Sequence, residues 1–164
     1  MITLEINDGE IDAALNRLAR AVTDMTPVMQ DIGEELVAST RERFIAGVSP
    51  EGAAWAPKSQ TTIDAYKRRR QRVDPRPLWG PSGDLNSLFS AHANPDGVIW
   101  GTNVLYAAVM HFGAAKGALG RTSRGGPVPW GTIPARPFLG VSDEDRTGIL
   151  AALDDWLTQA WDPH

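Results

Sequence analysis

The chain has 164 residues, 42% hydrophobic and 22% charged, which are the proportions of one soluble globular domain. The absence of cysteine excludes disulfides, cysteine-ligated zinc and thiol catalysis, and the short apolar stretches and polar start exclude a membrane span and a secretory signal. The net charge is −4, yet six of the sixteen basic residues fall between Lys67 and Arg76. The sequence therefore predicts a basic patch on an acidic body, and such a body is a poor general nucleic-acid binder.

The first third of the chain is predicted to form a short strand and two helices. Residues 2–6 alternate between apolar and polar, which predicts a strand. Asp8 is the expected cap of a helix that reaches about Met25, and Thr26-Pro27 is expected to start a second helix that reaches about Phe44. The apolar stripe of the first helix comprises Ile11, Leu15, Leu18 and Val22. The expected core residues of the second helix are Val28, Ile32, Leu36, Val37 and Phe44.

A loop and a third helix are predicted next. Residues 47–52 break the second helix and open a loop that carries Trp55 and Pro57. Ser59 is the expected cap of a third helix, which ends in the basic run. Residues 72–83 contain three prolines and two glycines, so we expect irregular structure there.

A β-hairpin is predicted around Asn94-Pro95-Asp96-Gly97, a combination typical of a tight turn. The flanking segments are Leu85 to Ala93 and Val98 to Thr102. In a simple hairpin the paired residue numbers sum to 191, which places Ala91 opposite Trp100 and Phe89 opposite Thr102. A bulge at the turn glycine would shift this register.

The last third is predicted to contain two helices separated by a long loop. Residues 106–112 form a short helix candidate, and residues 113–131 are rich in glycine and free of acids, so we expect them to be poorly ordered or held by a neighbouring subunit. Ser142 is expected to cap a helix over 143–161, whose apolar face packs on the sheet or on the first two helices. That face comprises Ile149, Leu150, Leu153, Trp156 and Leu157. The pattern predicts an α+β fold, one domain over residues 1–164, with several helices on a small antiparallel sheet and long irregular loops.

The residues that usually carry catalysis or bind metals do not form a recognisable constellation. The three histidines are far apart in sequence, which disfavours a metal site. No nucleophile elbow, Walker loop or dinucleotide fingerprint is present. The acids at 143–145 are typical of a helix N-terminus. We therefore expect no enzyme activity and no cofactor.

Two features allow both a structural and a functional interpretation. The run of exposed cations is either a contact surface for DNA or an acidic partner, or a solvated helix end that favours the negative dipole. This candidate basic contact patch comprises Lys67, Arg68, Arg69, Arg70 and Arg72. Trp55, Trp79 and Trp130 lie in loops, where they either cap the core or anchor an interface.

Three segments resemble the phage virion morphogenesis family, the tail completion proteins of Mu-like and P2-like phages. The first is Arg43-Phe44 followed by Ser49-Pro50-Glu51-Gly52-Ala53-Ala54-Trp55-Ala56-Pro57. The second runs from Gly101 to Gly113 and includes Tyr106-Ala107-Ala108, and the third is Ile133-Pro134-Ala135-Arg136-Pro137-Phe138-Leu139-Gly140. Their order and spacing agree with the family from about residue 1 to 161. The sequence Met110-His111-Phe112 departs from the family, which more often has His-Gln before Phe-Gly, so no role is assigned to His111.

The resemblance implies a small α+β structural protein that works as a ring, a hexamer by expectation, at the neck of a tailed phage. Its expected partners are further copies of itself and other neck or tail proteins, with DNA only passing through or in weak contact, and no membrane. It is expected in the bacterial host cytoplasm during assembly and then in the virion. The candidate assembly-interface residues are Trp55, Pro57, Trp130, Arg136 and Phe138.

Two other functions remain open at this point. A DNA-binding or packaging accessory protein would act through residues 67–76 and 116–124, and its retention on DNA would depend on salt. A cell-wall hydrolase carried in the particle would show clearing activity.

Overall fold

Six helices and two strands make up the regular structure of residues 9–161, the part of the chain that the computed structural model describes. In chain order they are α1 (Gly9–Thr23), α2 (Thr26–Ala46), α3 (Gln60–Arg68), α4 (Asp84–Ser87), β1 (Ser90–Asn94), β2 (Gly97–Gly101), α5 (Ala107–Phe112) and α6 (Asp143–Trp161). The predicted α+β class is confirmed. The strand predicted at residues 2–6 lies outside the described residues.

Helix α2 is the central element, because it packs against both strands and also against α6. Gly33 allows the close approach to the hairpin: a Cβ atom there would lie 2.7 Å from the Cβ of Ala91 and 2.8 Å from Cγ2 of Val98. Helix α1 packs against α6 rather than against the sheet. The molecule is thus layered, with the hairpin on α2 and the α1–α6 pair beside it.

The hairpin has the predicted register, and the strands pair without a bulge from Ser90 opposite Gly101 to Asn94 opposite Gly97. Ala91 faces Trp100 as expected. Phe89 does not continue the ladder, since β1 begins one residue later and Phe89 is buried in the core. The segment that begins at Leu85 also differs from the prediction, because α4 occupies it and Leu85 is buried.

Two hydrophobic clusters form the core. The first gathers aromatic and aliphatic side chains from α2, the loops and α5: Val37, Phe44, Trp55, Leu78, Leu85, Phe89, Ala107 and Phe138. The second lies between α2 and α6, where Val28, Ile32 and Leu36 meet Ile149, Leu153 and Trp156. Trp100 is half-buried and packs against both clusters. The predicted packing of the closing helix is confirmed for Ile149, Leu153 and Trp156, but Leu150 and Leu157, which were expected on the same face, are exposed.

The amino-terminal helices differ from the prediction in two respects. Most of the α1 stripe is exposed, since Ile11, Leu15 and Val22 are each about half accessible. Thr26 begins α2 but does not cap it with its side chain; its amide instead donates to Oδ1 of Asp24 at 3.0 Å. Pro27 does lie in the first turn as predicted.

Residues 113–131 form an irregular hairpin held by backbone hydrogen bonds within the segment. The amide of Leu119 donates to the carbonyl of Val128, and the amide of Val128 donates to the carbonyl of Gly120, both at 2.8 Å. Most side chains of the segment are exposed. Its mobility, and its capture by a neighbour, remain predictions.

Candidate functional site

A buried ion pair joins the end of α2 to the start of α6. Arg43 and Asp145 are only 6% and 5% exposed, and their side chains form a direct salt bridge. The Arg43 guanidinium also donates to the carbonyls of Phe138, at 3.1 Å, and Gly140, at 2.8 Å. Ser39 contacts both members of the pair. Each polar group is satisfied, which is the condition under which a buried pair is tolerated.

The same carboxylate caps α6. The Asp145 amide donates to the Ser142 hydroxyl at 3.1 Å, and the Ser142 amide donates back to Oδ2 of Asp145 at 2.7 Å, which is a capping box. Burial raises the pKa of Asp145, but the hydrogen bonds from Ser39 and Ser142 and the charge of Arg43 lower it by more, so the net pKa lies below the ordinary value of 3.8. All three acids lie in the first turn of α6, as predicted. Asp143 and Glu144 are exposed, whereas Asp145 is buried and also pairs with Arg43.

An aromatic cluster adjoins this ion pair. Phe44 is fully buried, and its ring centroid lies 5.3 Å from those of Trp55 and Phe138 and 5.6 Å from that of Phe89. The His111 ring stands edge-on to Phe138 at 4.9 Å, and its Nδ1 accepts a hydrogen bond from the Phe138 amide at 3.3 Å. Burial lowers the pKa of His111, which favours the neutral ring that can accept this bond.

Two long side chains tie the loops together. The Arg136 guanidinium donates to the carbonyls of Ala56 at 2.8 Å and Pro57 at 3.0 Å. In the opposite direction, Nε1 of Trp55 donates to the carbonyl of Pro137 at 2.9 Å. The backbone amide of Arg136 also donates to the carbonyl of Met110 at 3.0 Å, so all three segments that carry the family resemblance meet here and hold the fold together.

This placement corrects three of the five candidate interface residues. The exposed fractions of Trp55, Arg136 and Phe138 are 7%, 6% and 1%, so these residues do not form part of the surface. The Arg136 guanidinium donates hydrogen bonds to carbonyls of its own chain. Pro57 and Trp130 are exposed, Trp130 by 78%. Their participation in an interface remains a prediction.

The candidate basic contact patch is exposed, as the sequence suggested. Lys67 and Arg68 end α3, and Arg69, Arg70 and Arg72 follow at once. Within residues 9–161 none of these five forms an ion pair; the neighbouring Arg76 does, with Asp74 at 2.7 Å. The Arg76 hydrogen bonds hold the pKa of Asp74 at about 2. The patch therefore presents five charges that the described part of the chain leaves unpaired.

A groove of about 570 Å³ opens beside this patch, between α3 and the loops at 77–82 and 132–136. Tyr66, Tyr106, Met110 and Ile133 supply much of its apolar wall. Lys58 lies at the groove with Nζ 2.6 Å from the carbonyls of Asp74 and Trp79 and 5.6 Å above the Tyr66 ring. Burial lowers the pKa of Lys58. The groove combines an apolar wall with positive charge, which suits a partner that carries both apolar and acidic side chains.

The sequence did not reveal several of these residues. Ser39, Lys58 and Asp145 become important only because distant segments meet, and only the proximity of Asp145 to the Ser142 cap gave a signal. Within residues 9–161 the structure contains no group of three metal-ligating side chains and no helix long and apolar enough to cross a membrane.

Comparisons with known proteins show the family to which the chain belongs. The model of the phage virion morphogenesis family matches residues 6–158, and the chain belongs to that family. The chain is also similar to a protein described as "Mu-like prophage FluMu G protein 2" from Haemophilus influenzae, with 32% identity over 158 residues and 96% of each chain covered. No solved structure matches. The chain thus has a role in phage morphogenesis, in a family defined by virion construction rather than by a known enzyme activity.

Proposed function

We propose that this chain is a structural protein that completes the phage tail at the head–tail junction by assembling into a ring. Membership of the virion morphogenesis family and similarity to a Mu-like prophage protein support the general role. The resemblance of the three segments to tail completion proteins supports the specific role. The proposed partners are further copies of the chain, as a hexamer, together with other neck and tail proteins.

The observation that carries the proposal is the amount of apolar surface left uncovered on a single copy. Leu105, Trp130, Phe112 and Ile99 are between 74% and 97% exposed. Contiguous apolar surface left in water commonly marks contacts with other proteins, and Leu105 and Phe112 belong to the same short stretch of chain, since Leu105 lies just before α5 and Phe112 ends it. A ring subunit needs two such surfaces, one for each neighbour.

Deletion of the gene from an inducible phage tests the proposal. We expect lysates that contain filled heads and unjoined or unfinished tails in electron micrographs, and normal particles once the gene is supplied from a plasmid. Normal infectious particles without the gene would contradict the proposal.

A second candidate function, DNA binding, is favoured by the candidate basic contact patch, whose five cations have no ion-pair partner within residues 9–161. Phosphate contacts by these cations would make retention on DNA fall steeply with salt. A chain that elutes from DNA cellulose at low salt, with or without the patch, would argue against this function.

A further inference from the structure

Charge is divided between two parts of the molecule. Helices α1, α2 and α6 carry eleven acidic and five basic residues, whereas residues 47–142 carry five acidic and eleven basic residues. The net charge of −4 conceals this division. A molecule with one acidic and one basic part attracts a second copy most strongly in a head-to-tail orientation, because side-by-side copies in the same orientation oppose like charges.

The basic part offers a receptor surface. Tyr66 lines the groove, and α3 ends two residues later at Arg68. The first cations of the candidate basic contact patch, Lys67, Arg68 and Arg69, therefore follow at the end of the helix that walls the groove, and we call them the rim cations. Lys58 adds a cation at the groove wall. The resulting surface is an apolar channel with positive charges at one end.

The acidic part offers a complementary surface on the outer side of α6. Leu150, Asp154, Leu157 and Trp161 recur at intervals of four, three and four residues, so they form one stripe. Leu150 is 62% exposed, Trp161 44% and Leu157 38%, whereas the other side of α6 packs on α2. The stripe is about 16 Å long at 1.5 Å per residue.

We propose that the α6 stripe of one copy docks in the groove of the next copy, with Asp154 directed towards the rim cations. This inference rests on the proposed ring assembly and specifies its contact. The interface is heterologous, because groove and stripe are different surfaces of the same chain, and such contacts generate rings when the rotation closes. The recognition mode is an amphipathic helix in a hydrophobic groove, in which charge sets the register.

Two variants separate the surfaces. The stripe variant carries Leu150→Lys and Asp154→Lys, and the rim variant carries Lys67→Glu, Arg68→Glu and Arg69→Glu; all five positions are exposed. By sedimentation at low salt, the wild-type chain should self-associate as its concentration rises. Each variant alone should associate at least about 30-fold more weakly, since it lacks one of the two surfaces.

The decisive measurement is a 1:1 mixture of the two variants. Each variant keeps the surface that the other lacks, so the mixture should form a dimer and stop there. Absence of this dimer would overturn the proposal, as would a wild-type chain that stays monomeric at about 1 mM. Should the stripe variant melt abnormally, Leu150→Gln with Asp154→Asn replaces it, and the same dimer is expected.

A matched control tests whether position matters or only net charge. Lys116→Glu, Arg121→Glu and Arg124→Glu reverse three exposed cations of the 113–131 segment, the same change in charge as in the rim variant. This control should associate like the wild type. An equal loss would contradict the assigned contact and would favour instead the capture of the 113–131 segment by a neighbouring subunit. A rim variant that assembles normally but loses salt-sensitive retention on DNA would also overturn the proposal, in favour of a DNA contact.

The interface and the function can fail separately. If deletion of the gene leaves normal particles, the tail completion role fails whatever the sedimentation shows. If deletion blocks particle formation and the mixture gives no dimer, only the assigned contact fails.

Discussion

Two cation-bearing regions of this protein have opposite roles. At the junction of α2 and α6, Arg43 is buried, and its guanidinium donates hydrogen bonds to Asp145, to Ser39 and to two carbonyls. At the end of α3, the candidate basic contact patch is exposed and unpaired within residues 9–161. The family resemblance includes Arg43 and does not include the patch. The buried arginine thus belongs to a family-like segment and supports the fold, whereas the exposed cations lie outside those segments and are available for contact with a partner.

The largest expected effect comes from breaking the buried pair. Arg43→Met leaves the Asp145 carboxylate buried without its cation, and we expect a loss of about 3–5 kcal/mol in the free energy of unfolding. Chemical denaturation measures this loss. Arg43→Met combined with Asp145→Leu should recover part of it, because no charge is then stranded; a double variant less stable than Arg43→Met would contradict the account.

A smaller loss is expected at the α2–α6 contact. Trp156 packs against the second cluster but is only half-buried, so Trp156→Ala should cost about 2 kcal/mol rather than the 3–5 kcal/mol of a fully buried indole. Leu150→Ala on the exposed stripe is the matched control and should change the free energy of unfolding by less than about 0.5 kcal/mol. Equal losses for both would mean that the stripe is part of the core.

Acid should weaken the buried pair. The folded-state pKa of Asp145 lies below 3.8, so its stabilising contribution is complete above that pH and is lost as the pH falls through the folded-state value. Unfolding curves between pH 2 and pH 6 should therefore show stability falling below about pH 4. In Asp145→Asn the loss of stability at acid pH should be smaller but still present. The remainder comes from Asp74, whose pKa of about 2 also makes the folded state less stable as the pH falls. An unchanged pH profile in Asp145→Asn would argue against a paired carboxylate.

The smallest effect on folding is expected at the candidate basic contact patch. Replacing Lys67, Arg68, Arg69 and Arg70 with alanine should leave the fold intact and change the free energy of unfolding by less than about 1 kcal/mol in total, since the side chains are exposed and contribute mainly through the helix dipole. Thermal melting followed by circular dichroism checks this. A large drop in the melting temperature would show that the patch supports the fold.

Local patterns predicted several elements because the information lay within a few residues. The turn at 94–97 determined the hairpin register, and the cap at Ser142 with the apolar spacing after it located α6. The α1 stripe had the correct helical spacing but the wrong environment, because spacing does not tell whether a partner covers a face. Amphipathicity alone cannot separate a core face from an assembly face.

The site depended on contacts between distant segments. Arg43 and Asp145 are 102 residues apart, and Trp55 meets Pro137 across 82 residues. The sequence suggested Trp55, Arg136 and Phe138 as interface anchors because aromatic residues and arginines are frequent in the contacts that stabilise protein–protein interfaces. In the structure these three side chains instead join loops around Phe44. No local sequence pattern indicates these contacts, because they connect segments that are far apart in the chain.

The central claim is that this chain is a ring-forming component at the junction of phage head and tail. Electron cryomicroscopy of intact particles, with symmetry determined locally at the neck, tests it most directly. The account predicts a closed ring of copies at that junction, in which residues 9–161 fit the density and the outer side of α6 meets the groove beside α3 of the next copy. Particles that contain the chain only elsewhere, or mature particles and assembly intermediates without it, would contradict the claim.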